Sequence, residues 1–572
     1  MIGRGEERLT RPFATADDTL VRLGSLTAVW SVPVSDDVEE ALGTLGWRAE
    51  PSDVGCAAAP FVVVAVLSLP LAAVVPLVGM TVAAYATVAA LAVLQTPAFA
   101  LALYESRLVG AGPGLVARLA LRVRIEPSAE AAARFAARTG DGPLARALAG
   151  CVRSTAGTPE TPLDTFEAVL PTPGLRRAVT LVGAAVETPA SDRVRVLDRA
   201  LDAAHDATDR HVRAGTGAVR GPVNGVYAFG VVLPLALVGL VPVAPTAGVS
   251  LPTGVVAVTY DVFLPLALLL AAAWVLAHRP AVFPAGRAAG PDHAERRMAT
   301  LGGVGAGAAA GVGCVVLSVP WAAVVAVPCC GLGVALAVAS RTAVETDERV
   351  TALEEGLPAA TALVGRRLAA GDPPEDAVAA VGATLSGPVG DLFGAADRTR
   401  RALGRPVEAA FFGRHGVFGP THGARVRGTV RLVVAAATGG TAGGRVLVEV
   451  ADGLDGVRRL EADARADLAD LADTLARTGS VFAPVVAGVT VALASHVGGV
   501  GGSTGLGAGV STATLGVVVG GYVAWSAVVL TGLAVCLDRG VRPALLAYRI
   551  GVALASAGAC YATAAAAAGL LL

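Results

Sequence analysis

Lysine is absent from this chain, so all 45 basic side chains are arginine. Nucleotide loops of the P-loop type end in Gly-Lys-Ser or Gly-Lys-Thr, and no such ending exists here. Aromatic residues make up only 4% and charged residues 16% of the 572 positions, against 54% hydrophobic. With a mean hydropathy of +0.64, these values fall outside the range of ordinary soluble domains. A formal net charge of -1 argues against nucleic acid as a partner. The seven cysteines (Cys56, Cys151, Cys314, Cys329, Cys330, Cys536 and Cys560) form no CxxC spacing, so neither a zinc site nor a disulfide framework is expected. The seven histidines (His205, His211, His278, His293, His415, His422 and His496) include no i, i+4 pair with a glutamate, the pattern of a helical zinc protease. No nucleophile elbow or catalytic carboxylate pair is present, and the expectation is a protein without catalytic residues, cofactor or metal. Arginine-only basicity together with abundant Ala, Gly and Val points to a GC-rich genome, haloarchaeal or actinobacterial, which composition does not separate.

What the chain does have is one layout written twice: an uncharged hydrophobic hairpin, a polar block of over a hundred residues, then another hydrophobic hairpin. Internal similarity on this scale is the usual trace of gene duplication. Ala57 to Tyr104 carries no charge and is long enough for two spans of about 20 residues each. After Glu105 to Asn224, Val226 to Ala244 and Val255 to Ala277 read as the third and fourth spans, separated by a loop with Pro245 and Gly248. Thr300 to Ser340 must hold two more, Arg341 to Thr478 is polar again, and Val481 to Val497, Thr512 to Cys536 and Ile550 to Leu571 complete nine. The first fifty residues are polar, so no cleavable signal peptide is expected.

Positive residues near span ends stay cytoplasmic. Arginines occupy the N-terminal arm (Arg4, Arg8, Arg11, Arg22, Arg48), both polar blocks, the linker (Arg279, Arg287, Arg296, Arg297) and the last short loop (Arg539, Arg542, Arg549), while the intervening turns carry none. A span count of the wrong parity would put one cluster outside, so the sorting predicts a cytoplasmic N-terminus and an external C-terminus.

The resulting plan is an N-terminal arm (1–53), spans one and two (54–104), a first polar domain (105–224), spans three and four (225–277), a linker (278–299), spans five and six (300–340), a second polar domain (341–479), spans seven and eight (480–536), a loop (537–549) and span nine (550–572). Both polar domains read as helical. Ala129 to Arg138, Pro143 to Val152, Leu175 to Glu187 and Asp192 to Ala207 have helical periodicity in the first. In the second, Leu357 to Leu368 is a helix, Gly371-Asp372-Pro373-Pro374 is a stop and restart, and a long helix runs from about Arg445 to Arg477. Its apolar seam is Leu454, Val457, Leu460, Ala464, Leu468, Leu471 and Leu475, with Asp463, Asp467, Asp470 and Asp473 on the other side.

Leu357-Pro358, then Leu368-Ala369-Ala370-Gly371, then Glu375-Asp376-Ala377 form a Leu-Pro opening, a helix closed by glycine, a short spacer and an acidic-Ala restart. Gly404-Arg405-Pro406-Val407-Glu408-Ala409 supplies a G-x-x-x-E-A element, and Gly439-Gly440 precedes the long helix. In these residues, with Pro358, Gly371, Gly404, Gly439 and Gly440 as the anchor positions, the chain resembles the type II secretion system F domain. That domain defines the inner-membrane platform proteins of type IV pili, type II secretion, Tad pili and the archaellum. The first block is a more divergent copy that lacks the Leu-Pro opening, and the nine-span, two-domain plan is similar to the archaeal branch.

The resemblance implies an all-α polytopic membrane protein with about nine transmembrane helices and two cytoplasmic helical-bundle domains. It further implies a non-enzymatic platform in the cytoplasmic membrane that binds a cytoplasmic hexameric assembly ATPase and couples it to extraction of pilin subunits. Membrane lipids are the other expected contact, and a homodimer is common among the proteins resembled.

Several residues invite sharper readings. Arg398, Arg400, Arg401, Arg405, Arg414, Arg425, Arg427 and Arg431, relieved mainly by Glu408, form a basic cluster. Such a cluster would attract anionic headgroups at about 1 kcal/mol per residue, dock an acidic partner, or simply pair with Asp463 to Asp473. Gly303, Gly307 and Gly311 make a small-residue seam suited to helix packing in lipid. Gly439 to Arg445 is glycine-rich before a helix and reads as a hinge. Asp261 is the only charge expected inside a span, where a charge at mid-bilayer costs about 2.5 to 3.5 kcal/mol. It is the main support for the alternative reading, a duplicated transporter with an intramembrane substrate site.

Overall fold

A computed structural model of the chain describes residues 14–26, 30–74, 76–140, 142–170, 172–241, 252–278, 293–419, 423–437, 439–501 and 511–571. Arg4, Arg8, Arg11, Arg279, Arg287, the loop with Pro245 and Gly248, and His422 lie outside these residues. Among the described residues every regular element is a helix, and nine helices are long and apolar enough to cross a membrane.

Helices α1 (Ala14–Leu26) and α2 (Asp36–Leu45) precede a hairpin of α3 (Pro51–Val74) and α4 (Pro76–Ile125). Five more build the first polar bundle: α5 (Ala129–Thr139), α6 (Pro143–Ser154), α7 (Pro162–Val169), α8 (Pro173–Glu187) and α9 (Ala190–Tyr227). A π-turn at Ala228–Val232 carries α9 into α10 (Leu233–Leu240), and another at Thr259–Phe263 joins α11 (Thr253–Val258) to α12 (Leu264–His278). The second half opens with α13 (His293–Val316) and α14 (Ala323–Ala369), then builds its bundle from α15 (Pro374–Thr384), α16 (Pro388–Leu403), α17 (Val407–Phe412), α18 (Ala424–Ala437) and α19 (Gly440–Arg477). A π-turn at Thr478–Phe482 leads into α20 (Ala483–Gly501), followed by α21 (Thr512–Arg539) and α22 (Pro543–Leu571).

The duplication is visible helix by helix. α3 and α13 are 24 residues each, α5 and α15 are 11 each, and α9 and α19 are 38 each. α6 and α16 both begin with proline directly after a glycine at positive φ, Gly142 at 99° and Gly387 at 82°. Phe166 of α7 and Phe411 of α17 are both fully buried, each in the core of its own bundle.

Two helices run on past the apolar spans they contain, and the helix read from Leu357 is the end of one of them. The helix of the second span does not stop at Tyr104 but runs on to Ile125, and that of the sixth runs on to Ala369. Nothing in either stretch breaks a helix except single prolines, so apolar and polar parts share one rod. The N-terminal arm is also partly folded: Leu20, Val38, Leu42 and Leu45 are buried in the core of the first bundle.

Each π-turn precedes a proline. Pro234, Pro265 and Pro484 each lie six residues after the start of one. Proline removes a backbone donor and crowds the carbonyl four residues back, and a widened turn absorbs the clash. A freed carbonyl in lipid must find another donor. Tyr522 Oη donates to the Gly230 carbonyl, four residues before Pro234, and Tyr85 Oη donates at 3.2 Å to the Asp261 carbonyl, four before Pro265.

Small residues set the closest helix crossings. A Cβ on Gly303 would lie 2.7 Å from the Gly331 carbonyl, while Gly307 and Gly311 face Val327, so the predicted seam turns toward α14. Leu301, Val304, Val312 and Val315 are exposed on the other side of α13. Gly333 of α14 and Gly551 of α22 meet backbone to backbone.

Candidate functional site

The eight arginines of the predicted basic cluster do not form one surface. Gly356 of α14 meets Val389 and Gly382 of α15 meets Gly394, so α16 packs on both helices, and its last turn, ending at Leu403, is exposed. Arg398, Arg401 and Arg405 are exposed there beside Leu403, with Gly404 closing α16 at φ 59°. Arg414 and His415 are exposed in the segment after α17. Asp397 ties down Arg400 at 2.9 Å and Arg401 at 2.8 Å, and the Arg400 side chain is only 21% exposed. Arg427 donates to the Gly419 carbonyl at 3.0 Å, and Arg431 lies 5.3 Å over the Phe412 ring, which stacks on Phe418. Arg425 is elsewhere altogether, inside the molecule.

Arg425 pairs with Glu461 at 3.0 Å and approaches Glu354 at 3.9 Å. Glu461 also approaches Arg465 at 3.7 Å, and close by, Arg542 from the loop before α22 holds Asp347 at 2.8 Å and Thr351 at 2.9 Å. Glu461 and Arg542 are both buried. The polar part of α14 begins after Ser340 and α19 stays polar up to its π-turn, so these groups lie outside the apolar segments. Burial lowers the Arg425 pKa, but attraction by Glu461 and then Glu354 outweighs it and the net shift is upward. For Glu354 burial wins and raises the carboxyl against the pull of Arg425. Burial also dominates at Arg465, whose pKa falls because Glu461 compensates it only in part.

This network forms one wall of a cavity of about 550 Å³ between the bundles. The first half contributes Arg118, Gly142, Leu201 and His205, and the second Glu355, Leu357, Arg458 and Glu461. Beside it, Arg124 of α4 reaches Asp198 of α9 and Glu449 of α19, each at 2.7 Å, and ties the halves together. The bundles touch, so both lie on the same side of the apolar helices.

The remaining motif residues are structural in placement. Pro358 is buried inside α14, Gly371 turns the chain at φ 95°, and Gly439 and Gly440 form the bend into α19, Gly440 at φ 58°. Gly444 packs against α14, where its Cβ would sit 2.7 Å from the Gly365 carbonyl. The glycine-rich stretch is thus a turn and a close crossing. Asp261 directs its carboxylate at Gly521 of α21. Asp467 pairs with Arg220 and Asp473 with Arg477, so neither serves the basic cluster. Among the described residues no group of three or more His, Cys, Asp or Glu is placed to hold a metal.

Sequence reading missed Arg124, Glu461 and Arg542 as partners. One signal was available: Glu461 sits on the apolar face of its helix, in register with Val457, Ala464 and Leu468. The pairing of Arg542 with Asp347, 195 residues apart, leaves no trace in local pattern.

The fold defines the class: among the described residues the protein is all-helical, with apolar helices suited to multiple membrane crossings and two polar bundles that share a helix order. Comparison with family models, curated proteins and solved structures found no match to this chain.

Proposed function

We propose that the chain is the cytoplasmic-membrane platform of a type IV pilus-like machine, in the two-domain form of the archaeal branch. In this reading both bundles face the cytosol, a hexameric assembly ATPase grips them, and its movement is passed to the spans that extract pilin subunits. The observation that carries it is mechanical continuity. Each bundle returns to the membrane through a 38-residue helix that continues across a π-turn into an apolar helix, so a push on either bundle has a rigid path into the bilayer. Of the motif residues, Gly371, Gly404 and Gly440 stand at positive φ where the chain of the second bundle turns, and Pro358 is buried within α14.

The contact for the ATPase is the exposed end of α16 with Arg398, Arg401 and Arg405, which suits an acidic partner. The test is capture of the assembly ATPase from the same cell on the membrane-embedded chain, at low and high salt. Reversal of all three arginines to glutamate abolishes capture and filament formation, and salt weakens the parent interaction. Unchanged capture and unchanged filaments would remove these arginines from the mechanism, and reporter fusions placing either bundle outside the cell would end the reading.

One observation favours the transporter reading instead: Asp261 lies at a π-turn within an apolar helix, and broken helices with an acid are where substrate sites form. Flux in proteoliposomes that disappears on Asp261→Ala would establish it.

A further inference from the structure

We propose that the N-terminal arm is an interfacial anchor: Trp30 and Leu23, helped by Arg22, lie in the headgroup layer of the same bilayer that the apolar helices cross. Three contacts position the arm against α3. Asp17 accepts from the Arg48 and Ala49 backbone N–H groups at 3.1 and 3.0 Å, just before α3 begins. A Cβ on Gly24 would lie 2.8 Å from the backbone of Asp53, in the first turn of α3. The Val32 N–H donates to the Gly55 carbonyl at 3.4 Å, and a Cβ on Gly55 would lie 2.4 Å from the Val32 carbonyl. From residue 17 to residue 32 the arm thus meets successively later residues of the hairpin. Asp53 is the last charge before Glu105, so the contact at Gly55 stands at the threshold of the uncharged run. About three turns further along the same side of α3, Val66 is 56% exposed, and the surface continuous with the arm is the lipid-facing one.

The side chains suit that position. Between Asp18 and Asp36 the only charged residue is Arg22, whereas Asp17, Asp18, Asp36, Asp37, Glu39 and Glu40 crowd the two flanks. Trp30 is 56% exposed and Leu23 39%, while Trp47, the other tryptophan of the arm, is buried. An indole has an apolar ring and one N–H that needs a wet partner, and the headgroup region offers both surroundings at once. Arg22, exposed beside Leu23, can lay its aliphatic stem on apolar surface and reach lipid phosphate with its guanidinium. One arginine without a neighbouring acid fits an anionic surface, and the acidic flanks keep the rest of the arm in water.

The test uses the full-length chain in phosphatidylglycerol nanodiscs whose lipids carry bromine either high or low on the acyl chain. Subtracting the fluorescence of Trp30→Phe from that of the parent isolates one indole, on an exposed site where phenylalanine leaves the fold intact. Its emission is blue-shifted from that of indole in water and quenched about twice as strongly by the shallow bromines as by the deep ones. Trp274→Phe, subtracted in the same way, is the positive control, since that ring is 45% exposed on the apolar helix α12. Arg22→Glu lowers the shallow quenching of Trp30 about twofold in phosphatidylglycerol but not in phosphatidylcholine; equal quenching in phosphatidylglycerol overturns the role given to Arg22. Water-like, unquenched emission from Trp30 overturns the proposal. So does blue-shifted emission that neither lipid quenches, which would mean that protein, such as a second copy of the chain, covers the ring. Stronger quenching by the deep bromines overturns it as well, because the ring would then lie in the hydrocarbon core.

Discussion

The two bundles share a helix order and differ in what they do with it. Both have the Gly-Pro start of one helix, a buried phenylalanine in the next and a 38-residue exit helix. The Gly-Pro helices and the segments that follow them differ in exposed charge. The first exposes Glu160 and Asp164 beside Arg153, and the second exposes Arg398, Arg401, Arg405 and Arg414 beside Glu408. Their exit helices are also anchored differently. Gly444, near the start of α19, touches the backbone of α14, while the matching position in α9 is Val194, 46% exposed. The buried acid network of Glu354, Glu461 and Arg425 belongs to the second bundle. The shared helix order is what packing constrains, while surface and anchor differ: α19 meets the backbone of α14 at Gly444, whereas α9 is tied to α4 through the Arg124–Asp198 pair and the Thr208 hydroxyl on the Val109 carbonyl.

The scaffold itself is the first thing to break. Phe166→Ala and Phe411→Ala should each cost about 3–5 kcal/mol, seen as lost hydrogen-exchange protection confined to the mutated bundle in detergent micelles. Protection lost in both bundles from either change would show one cooperative unit rather than two. Next comes the difference in anchoring. Gly444→Ala drives a methyl group into backbone atoms of α14 and should cost about 1–3 kcal/mol, while Val194→Ala should be close to neutral; equal effects would erase the distinction.

The shared glycines give a smaller effect. Gly142 and Gly387 have open space where a side chain would go, so alanine there incurs only the backbone cost of positive φ, about 1–2 kcal/mol. The two variants should lower the unfolding midpoint alike. The smallest effect is at Glu354. Its carboxyl is raised on folding, so its contribution is favourable below the unfolded pKa and is lost as pH rises through the folded one. Glu354→Gln should therefore raise the unfolding midpoint at neutral pH, and the gain should shrink toward about pH 4, near the reference carboxylate value. A gain that grows on acidification would show that the pairing with Arg425 dominates.

Much of this architecture was legible in the chain. The apolar segments could be counted because hydropathy is local, and the helices of the first bundle were readable from Ala129, Pro143 and Leu175 because their apolar faces repeat at helical spacing. The helix read from Leu357 begins instead at Ala323, and the helix of the second span continues past Tyr104 to Ile125, since a change from apolar to polar composition does not end a helix. The basic cluster was the least legible part. Arg398 and Arg425 are near in sequence, yet the segment after α17 brings Arg425 to Glu354 and Glu461 while Arg398 stays exposed on α16.

The order of apolar and polar segments and the repeated plan were settled by the sequence alone, because each depends on residues within a few turns of one another. Which tyrosine serves a freed carbonyl, which arginine is buried against which acid, and the cavity shared by the halves were decided only by the tertiary structure. Those contacts join residues as distant as Gly230 and Tyr522, and only packing of the whole chain fixes the distance between them.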